Sequence, residues 1–413
     1  MPLTRHVGRV RAVSVVVGAL ATAGISFAPS AAAYDERSKQ WYLDTMQAEQ
    51  MWKVSTGKGV KVAVIDTGVN ANTPSLKGQV LTADVPKAVA YHATVDYDGH
   101  GTSMAELIAG TGADGGLKGL APGAKIVPYR MQLEGLKSGA EKGKTPEAAE
   151  ALRAAADTDA KIISMSFGGM TSEEDKAAIN YAASKGKLLI AAVGNNAEDG
   201  KTNFIDYPAG YPYVIGVAAA DESLTVSKFS SYGNYVDLAA PGAAIPAWCN
   251  ADFRAYCDSK GTSPATALTS AAAALIWSAH PDWTVNQVTR SLIDTAGRTW
   301  AKDDPSKYAG YGFIRPRVVL ENANYDAGPA NVDPLAKDNG GDLLANSASS
   351  PSPSASATSQ PQQTTSTGGT SAAAPSAQSS SDSNTLWIAL GGAAAVIVLC
   401  GAGVAVMRAR HAR

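Results

Sequence analysis

Between residues 60 and 219 short, continuously apolar runs alternate with longer stretches of helical character, and few folds accommodate that alternation. The runs at 60–66, 125–129, 161–166, 187–193 and 213–219 are rich in Val, Ile and Ala. Each reads as a strand buried on both faces, because a strand with one solvated face would alternate polar and apolar residues. The stretches at 104–109, 146–156 and 172–184 read as helices between them. Parallel neighbours need crossover connections, and helices supply them. The expected fold is therefore α/β, a three-layer arrangement with a mainly parallel central sheet flanked by helices on both faces. Ligands of such sheets bind beyond the C-terminal ends of the strands. Asp66 closes the first run and Asn195 follows the fourth, so both stand where chemistry is expected.

The two ends of the chain carry export and membrane signals. Arg5, Arg9 and Arg11, an apolar stretch at 12–28 and Ala31-Ala32-Ala33 form a secretory signal with cleavage after Ala33. An uncleaved anchor helix is the alternative. An uncharged apolar run at 386–407 is long enough to span a bilayer. Arg408, Arg410 and Arg413 follow it, which keeps the tail cytoplasmic. Ahead of that run Ser, Ala, Thr, Pro and Gln dominate, a composition that cannot bury enough apolar surface to fold. The expected organisation is a signal peptide at 1–33, a globular domain with a short N-terminal extension at 34–330, a flexible linker at 331–384, a transmembrane helix at 385–407 and a tail at 408–413. This describes a single-pass cell-membrane protein with its domain extracellular. A formal net charge of −2 offers nucleic acid no basic surface, so that partner class is excluded. Cys249 and Cys257 lie close together in the exported part, where a short-loop disulfide is the default and two unpaired thiols the alternative. Cys400 falls inside the apolar run as a small apolar residue.

The chain has five histidines, and elimination among them is informative. His6 and His411 belong to the signal and the tail, and His280 sits in an Ala-His-Pro-Asp turn. Of the remaining two, His92 and His100, only His100 is flanked by glycines, in Asp98-Gly99-His100-Gly101-Thr102. Glycine lets backbone approach a substrate closely, which favours His100 as a base. A hydrolytic serine needs such a base within hydrogen-bond reach, and the base needs an acceptor that fixes its tautomer. Asp66 is placed for the acceptor. Gly261-Thr262-Ser263-Pro264-Ala265 sets Ser263 just before a small-residue helix at 266–279, where free amides and the helix dipole favour an oxyanion. Pro264 has no N–H, so an α/β-hydrolase elbow, which takes an oxyanion donor from the residue after the serine, is excluded. A side-chain amide is available instead in Asn195 of Ala192-Val193-Gly194-Asn195-Asn196.

Taken in order, VAVIDTG, DGHGT, AAVGN and GTSPA resemble the Asp, His, oxyanion-Asn and Ser boxes of the subtilases, the subtilisin-like serine proteases. Gly119-Leu120-Ala121-Pro122, Ser164-Met165-Ser166-Phe167-Gly168-Gly169, Ala239-Ala240-Pro241-Gly242 and Gly310-Tyr311-Gly312 add to a likeness running over 60–323. Within the family the chain is most similar to the mycosins, membrane-anchored proteases associated with type VII secretion in actinobacteria. The Gln40-Trp41-Tyr42-Leu43 lead-in, the linker with its apolar helix and the lack of room for a long propeptide carry that likeness. The resemblance implies an endopeptidase acting on polypeptides, with Asp66, His100 and Ser263 catalytic and Asn195 in the oxyanion hole. It further implies one cleft wall at Ser164, Ser166, Phe167 and Gly168 and another at Ala192 and Gly194, with substrate added as a strand. It implies no required cofactor, leaves structural calcium open, and points to a type VII secretion membrane complex as partner. Pro264, Ala267 and Leu268 depart from the family's frequent Met, Pro and His, and none removes a catalytic group.

Three other readings compete. Asp66-Thr67-Gly68 is also the aspartic-protease signature, but that chemistry needs two such carboxylates and no second Asp-Thr-Gly or Asp-Ser-Gly occurs. His92, Asp96, Asp98 and His100 are residue types that suit zinc, against the plainer reading of a loop ahead of a helix. A structural subunit that stabilises a secretion complex, with proteolysis secondary, is the non-enzymatic alternative.

Overall fold

The computed structural model describes residues 36–198 and 204–340. The signal peptide, most of the linker, the transmembrane helix and the tail expected from the sequence lie outside the described residues. Among the described residues no helix is long and apolar enough to cross a membrane.

The five expected strands form as β1 (Lys61–Asp66), β2 (Lys125–Arg130), β3 (Ile162–Met165), β4 (Leu188–Ala192) and β5 (Val214–Ala220). A sixth, β6 (Leu238–Pro241), adds an edge that the sequence pattern does not announce. The sheet order is β2-β1-β3-β4-β5-β6, and every pairing is parallel. A separate antiparallel hairpin joins β7 (Ile245–Trp248) to β8 (Tyr256–Ser259). In chain order the helices are α1 (Trp41–Thr45), α2 (Ala48–Met51), α3 (His100–Ala109), α4 (Gly139–Lys142), α5 (Ala148–Ala156), α6 (Glu173–Ser184), α7 (Thr262–Ala279), α8 (Val285–Thr295), α9 (Pro316–Leu320) and α10 (Ala336–Asn339).

Successive strand residues face opposite sides of the sheet, and here both sides are covered. Val62, Val64, Ile126, Ile162 and Ile190 pack with α3 and α7 on one side. Ala63, Ile65, Val127, Ile163 and Leu189 pack with α5 and α6 on the other. The 18-residue α7 is buried without interruption from Pro264 to Trp277. Small side chains let it run through the core in this way, and Ala271, Ala272, Ala273 and Ala274 are all fully buried. Two of its buried hydroxyls bond within the helix, Thr266 Oγ1 donating to Thr262 O at 2.9 Å and Thr269 Oγ1 to Ala265 O at 2.8 Å, whereas Ser270 Oγ takes no hydrogen bond among the described residues. The helix starts at Thr262, ahead of the expected position 266, because Pro264 falls in the first turn, where a missing N–H costs no helical hydrogen bond.

The N-terminal extension packs onto the domain. Tyr42 and Met51 are fully buried, and such a side chain contributes about 1.5–3 kcal/mol through burial. Gln40 brackets Lys118, with Nε2 donating to Lys118 O at 2.8 Å and Oε1 accepting from Lys118 N at 2.9 Å. Trp41 Nε1 donates to Ala243 O at 3.2 Å.

Candidate active site

Asp66 is the last residue of β1 and is fully buried. Its Oδ1 accepts from Thr67 N at 2.7 Å and lies 2.7 Å from His100 Nδ1. Its Oδ2 is buried and takes no hydrogen bond among the described residues. The short contact to Nδ1 makes that nitrogen the protonated one in a neutral ring and leaves Nε2 as the acceptor. His100 is the first residue of α3, and Gly101 explains how the helix comes so close to the strand. A Cβ there would lie 2.2 Å from Gly68 O and 3.0 Å from Asp66 Cβ. Burial pulls the imidazole pKa down, but Asp66, and then Asp96 and Asp98, more than offset it and raise it from 6.5 to about 9.

His100, Asn195 and Ser263 line one cavity of about 480 Å³. Ser263 lies in the first turn of α7, where backbone N–H groups have no intrahelical acceptor. Its Oγ donates to Ser166 O at 3.0 Å rather than to His100. The Asn195 amide is oriented by Thr262, whose N and Oγ1 donate to Asn195 Oδ1 at 2.8 and 3.1 Å. With its oxygen so engaged, the amide presents Nδ2 as its donor end. Gly194 N donates to Thr262 Oγ1 at 3.2 Å, so the start of α7 is tied to the segment after β4 as well as to that after β3.

The six residues expected to form cleft walls divide into two sets. Ser164 lies within β3 and Ala192 ends β4, and both are buried. Ser166 is buried too but turns its carbonyl to Ser263, while Phe167, Gly168 and Gly194 are at least partly exposed.

Cys249 and Cys257 form a disulfide with a Cα–Cα distance of 5.1 Å, closing the β7–β8 hairpin. Both cysteines line the cavity. The hairpin is held on α3 by two contacts the sequence pattern does not reveal. Trp248 N donates to Ser103 Oγ at 2.9 Å, and Tyr256 OH donates to Glu106 Oε2 at 2.7 Å. Glu106 is fully buried, and burial pushes its carboxyl to about 7 against the lowering effect of its bonds from Thr73 and Tyr256.

Asp96 is a second residue whose role emerges only in three dimensions. Oδ1 accepts from Thr67 Oγ1 at 2.7 Å, Gly99 N at 2.8 Å and Asp98 N at 3.0 Å. Oδ2 accepts from Thr102 N at 2.8 Å and Thr102 Oγ1 at 2.6 Å. The carboxylate thus satisfies amides at the start of α3 and clamps that helix to the residue after Asp66. An acidic side chain ahead of a helix start is the signal that could have found it. His92 is drawn elsewhere, its Nδ1 3.4 Å from Glu141 Oε2. Among the described residues no group of three or more His, Cys, Asp or Glu is placed to hold a metal ion.

The subtilase family profile matches residues 57–312, more than half of the chain. Thermitase from Thermoactinomyces vulgaris is 34% identical over 286 residues, covering 66% of this chain and 95% of the relative. Subtilisin E from Bacillus subtilis (strain 168) is 36% identical over 268 residues, covering 64% of this chain and 67% of the relative. Among solved structures, MycP1 from Mycobacterium smegmatis superposes with a TM-score of 0.58 at 27% identity, covering 71% of this chain and 86% of that one. The MycP3 protease from the type VII (ESX-3) secretion system gives 0.56 at 30% identity, covering 68% and 87%. The chain belongs to the subtilase family. It is a subtilisin-like serine endopeptidase.

Proposed function

We propose that Asp66, His100 and Ser263 are the catalytic triad of this endopeptidase, with Asn195 Nδ2 and the Ser263 amide as its oxyanion hole. The observation that carries the reading is the 2.7 Å contact of His100 Nδ1 with Asp66, on a histidine that shares a cavity with Ser263 and Asn195. Ser263 Oγ turns from Ser166 O to His100 Nε2, gives up its proton and bonds to the substrate carbonyl carbon. The resulting oxyanion is held by the two amide donors, and Asp66 stabilises the imidazolium. Collapse breaks the C–N bond as His100 passes its proton to the leaving amine. Water repeats the sequence on the acyl-enzyme. Side chains and amides of the chain handle every proton and charge in this scheme, so no cofactor is required.

The substrate is a polypeptide, paired in extended form with the segment after β3. Similarity to MycP1 and MycP3 supports association with a type VII secretion membrane complex. The apolar run at 386–407 supports a tether that keeps the protease domain outside the membrane. A serine-reactive phosphonate should label the purified full-length protein and fail to label Ser263→Ala. A folded wild type that takes no label refutes the triad. Restoration of secretion by Ser263→Ala in a deletion strain would make the structural role the principal one.

A further inference from the structure

After β3 the chain meets a distant segment through a two-way backbone contact. Gly169 N donates to Tyr207 O and Tyr207 N to Gly169 O, both at 2.9 Å. This bridge carries Asp206 to the ends of β3 and β4. A Cβ on Gly168 would lie 3.0 Å from Asp206 Cβ, and one on Gly194 would lie 1.8 Å from Asp206 Oδ2. The carboxylate therefore contacts both wall segments at the points where each lacks a side chain. Ser263 is tied to the same segments through Ser166 O at 3.0 Å, and its neighbour Thr262 through Gly194 N at 3.2 Å. Gly168 is two residues beyond Ser166, at most about 7 Å of extended chain, a distance a lysine or arginine side chain can cover.

The Asp206 carboxylate has one hydrogen bond among the described residues, Oδ2 accepting from Asn196 Nδ2 at 3.1 Å. Partial burial pushes its pKa up. A partly desolvated carboxylate gains most from a cation that brings charge-assisted hydrogen bonds.

We infer that Asp206 is a specificity-determining residue that favours Lys or Arg as the substrate residue whose carbonyl is attacked. The inference rests on the proposed triad. The guanidinium or ammonium group meets the carboxylate while the aliphatic stem lies along the glycine-lined walls. Acidic residues are disfavoured by the same charge.

The test compares kcat/KM for peptides identical except at that position, arginine against citrulline and lysine against norleucine, using the full-length protein. A charge-assisted contact predicts about 10- to 100-fold preference for each cation over its neutral counterpart. Asp206→Asn should bring both ratios near one, and Asp206→Glu should recover part of the preference. Each ratio is taken within one preparation, so a lower folded fraction cancels. Ratios near one in wild type, or ratios unchanged in Asp206→Asn, overturn the inference. Labelling by a phosphonate that carries no side chain separates the two failures. A labelled enzyme without cation preference leaves the triad standing, whereas a folded enzyme that is not labelled overturns both.

Discussion

Glu106 offers a stability test whose sign and size follow from its surroundings. It is fully buried in α3, with Oε1 accepting from Thr73 Oγ1 and Oε2 from Tyr256 OH, both at 2.7 Å. Burial raises its carboxyl from 4.5 to about 7. Because the folded value lies above the unfolded one, its contribution to stability is complete below about pH 4.5 and is lost as pH rises through about 7. At about 1.4 kcal/mol per pH unit between the two values, the loss is on the order of 3 kcal/mol by pH 8. Glutamine has nearly the same shape, and the Thr73 and Tyr256 hydroxyls can accept as well as donate, so Glu106→Gln keeps both contacts without the titration. The variant should match wild type near pH 4 and exceed it by about 3 kcal/mol near pH 8. Urea unfolding at pH 4, 6 and 8 measures this, with both proteins in a Ser263→Ala background to prevent self-digestion. Other titrating groups, including buried Asp237, cancel in the difference. A stability difference that does not change with pH refutes the reasoning.

Two further predictions concern the proposed triad. Asp66→Asn keeps the side chain's size but removes the charge that orients and stabilises the His100 imidazolium, so kcat should fall about 10⁴-fold while circular dichroism remains native; a fall under tenfold would refute the assignment. His100 must be neutral to act as a base, and its raised pKa puts the ascending limb of kcat/KM on the alkaline side of 6.5. Asp98→Asn removes one of the charges that raise it and should move that limb to lower pH, whereas a wild-type limb at or below 6.5 would contradict the electrostatics.

Burial decided which parts of the fold were legible. Strands β1 to β5 are covered on both faces, so each leaves a continuous apolar run. β6 contributes only Leu238-Ala239-Ala240-Pro241, too short and too small in its side chains to register as a strand. The β7–β8 hairpin has no readable period because β8 is largely exposed, and its position depends on the disulfide, Ser103 and Glu106. In the site, Asp66, His100, Asn195 and Ser263 stood out through strand ends, flanking glycines and a helix start. Asp96 did not: four of its five hydrogen bonds go to Asp98, Gly99 and Thr102 close by in the chain, but the one from Thr67, which ties it to the Asp66 segment, exists only after α3 has docked.

The glycines near the site show how far such legibility goes. A glycine at the end of a strand or the start of a helix indicates that something approaches closely, but the approaching group can be distant in sequence. At Gly101 that group is Gly68 O together with Asp66, both within a recognisable box. At Gly194, with φ of +101°, it is Asp206, which sits in a stretch without periodicity and arrives through the Gly169–Tyr207 bridge. The first glycine could be connected to chemistry from the sequence because its partner lies in a neighbouring box. The second could be read only as a wall. Its carboxylate neighbour turns that wall from a surface that admits any side chain into one that distinguishes charge, and replacing Asp206 should therefore alter substrate preference rather than the chemical step.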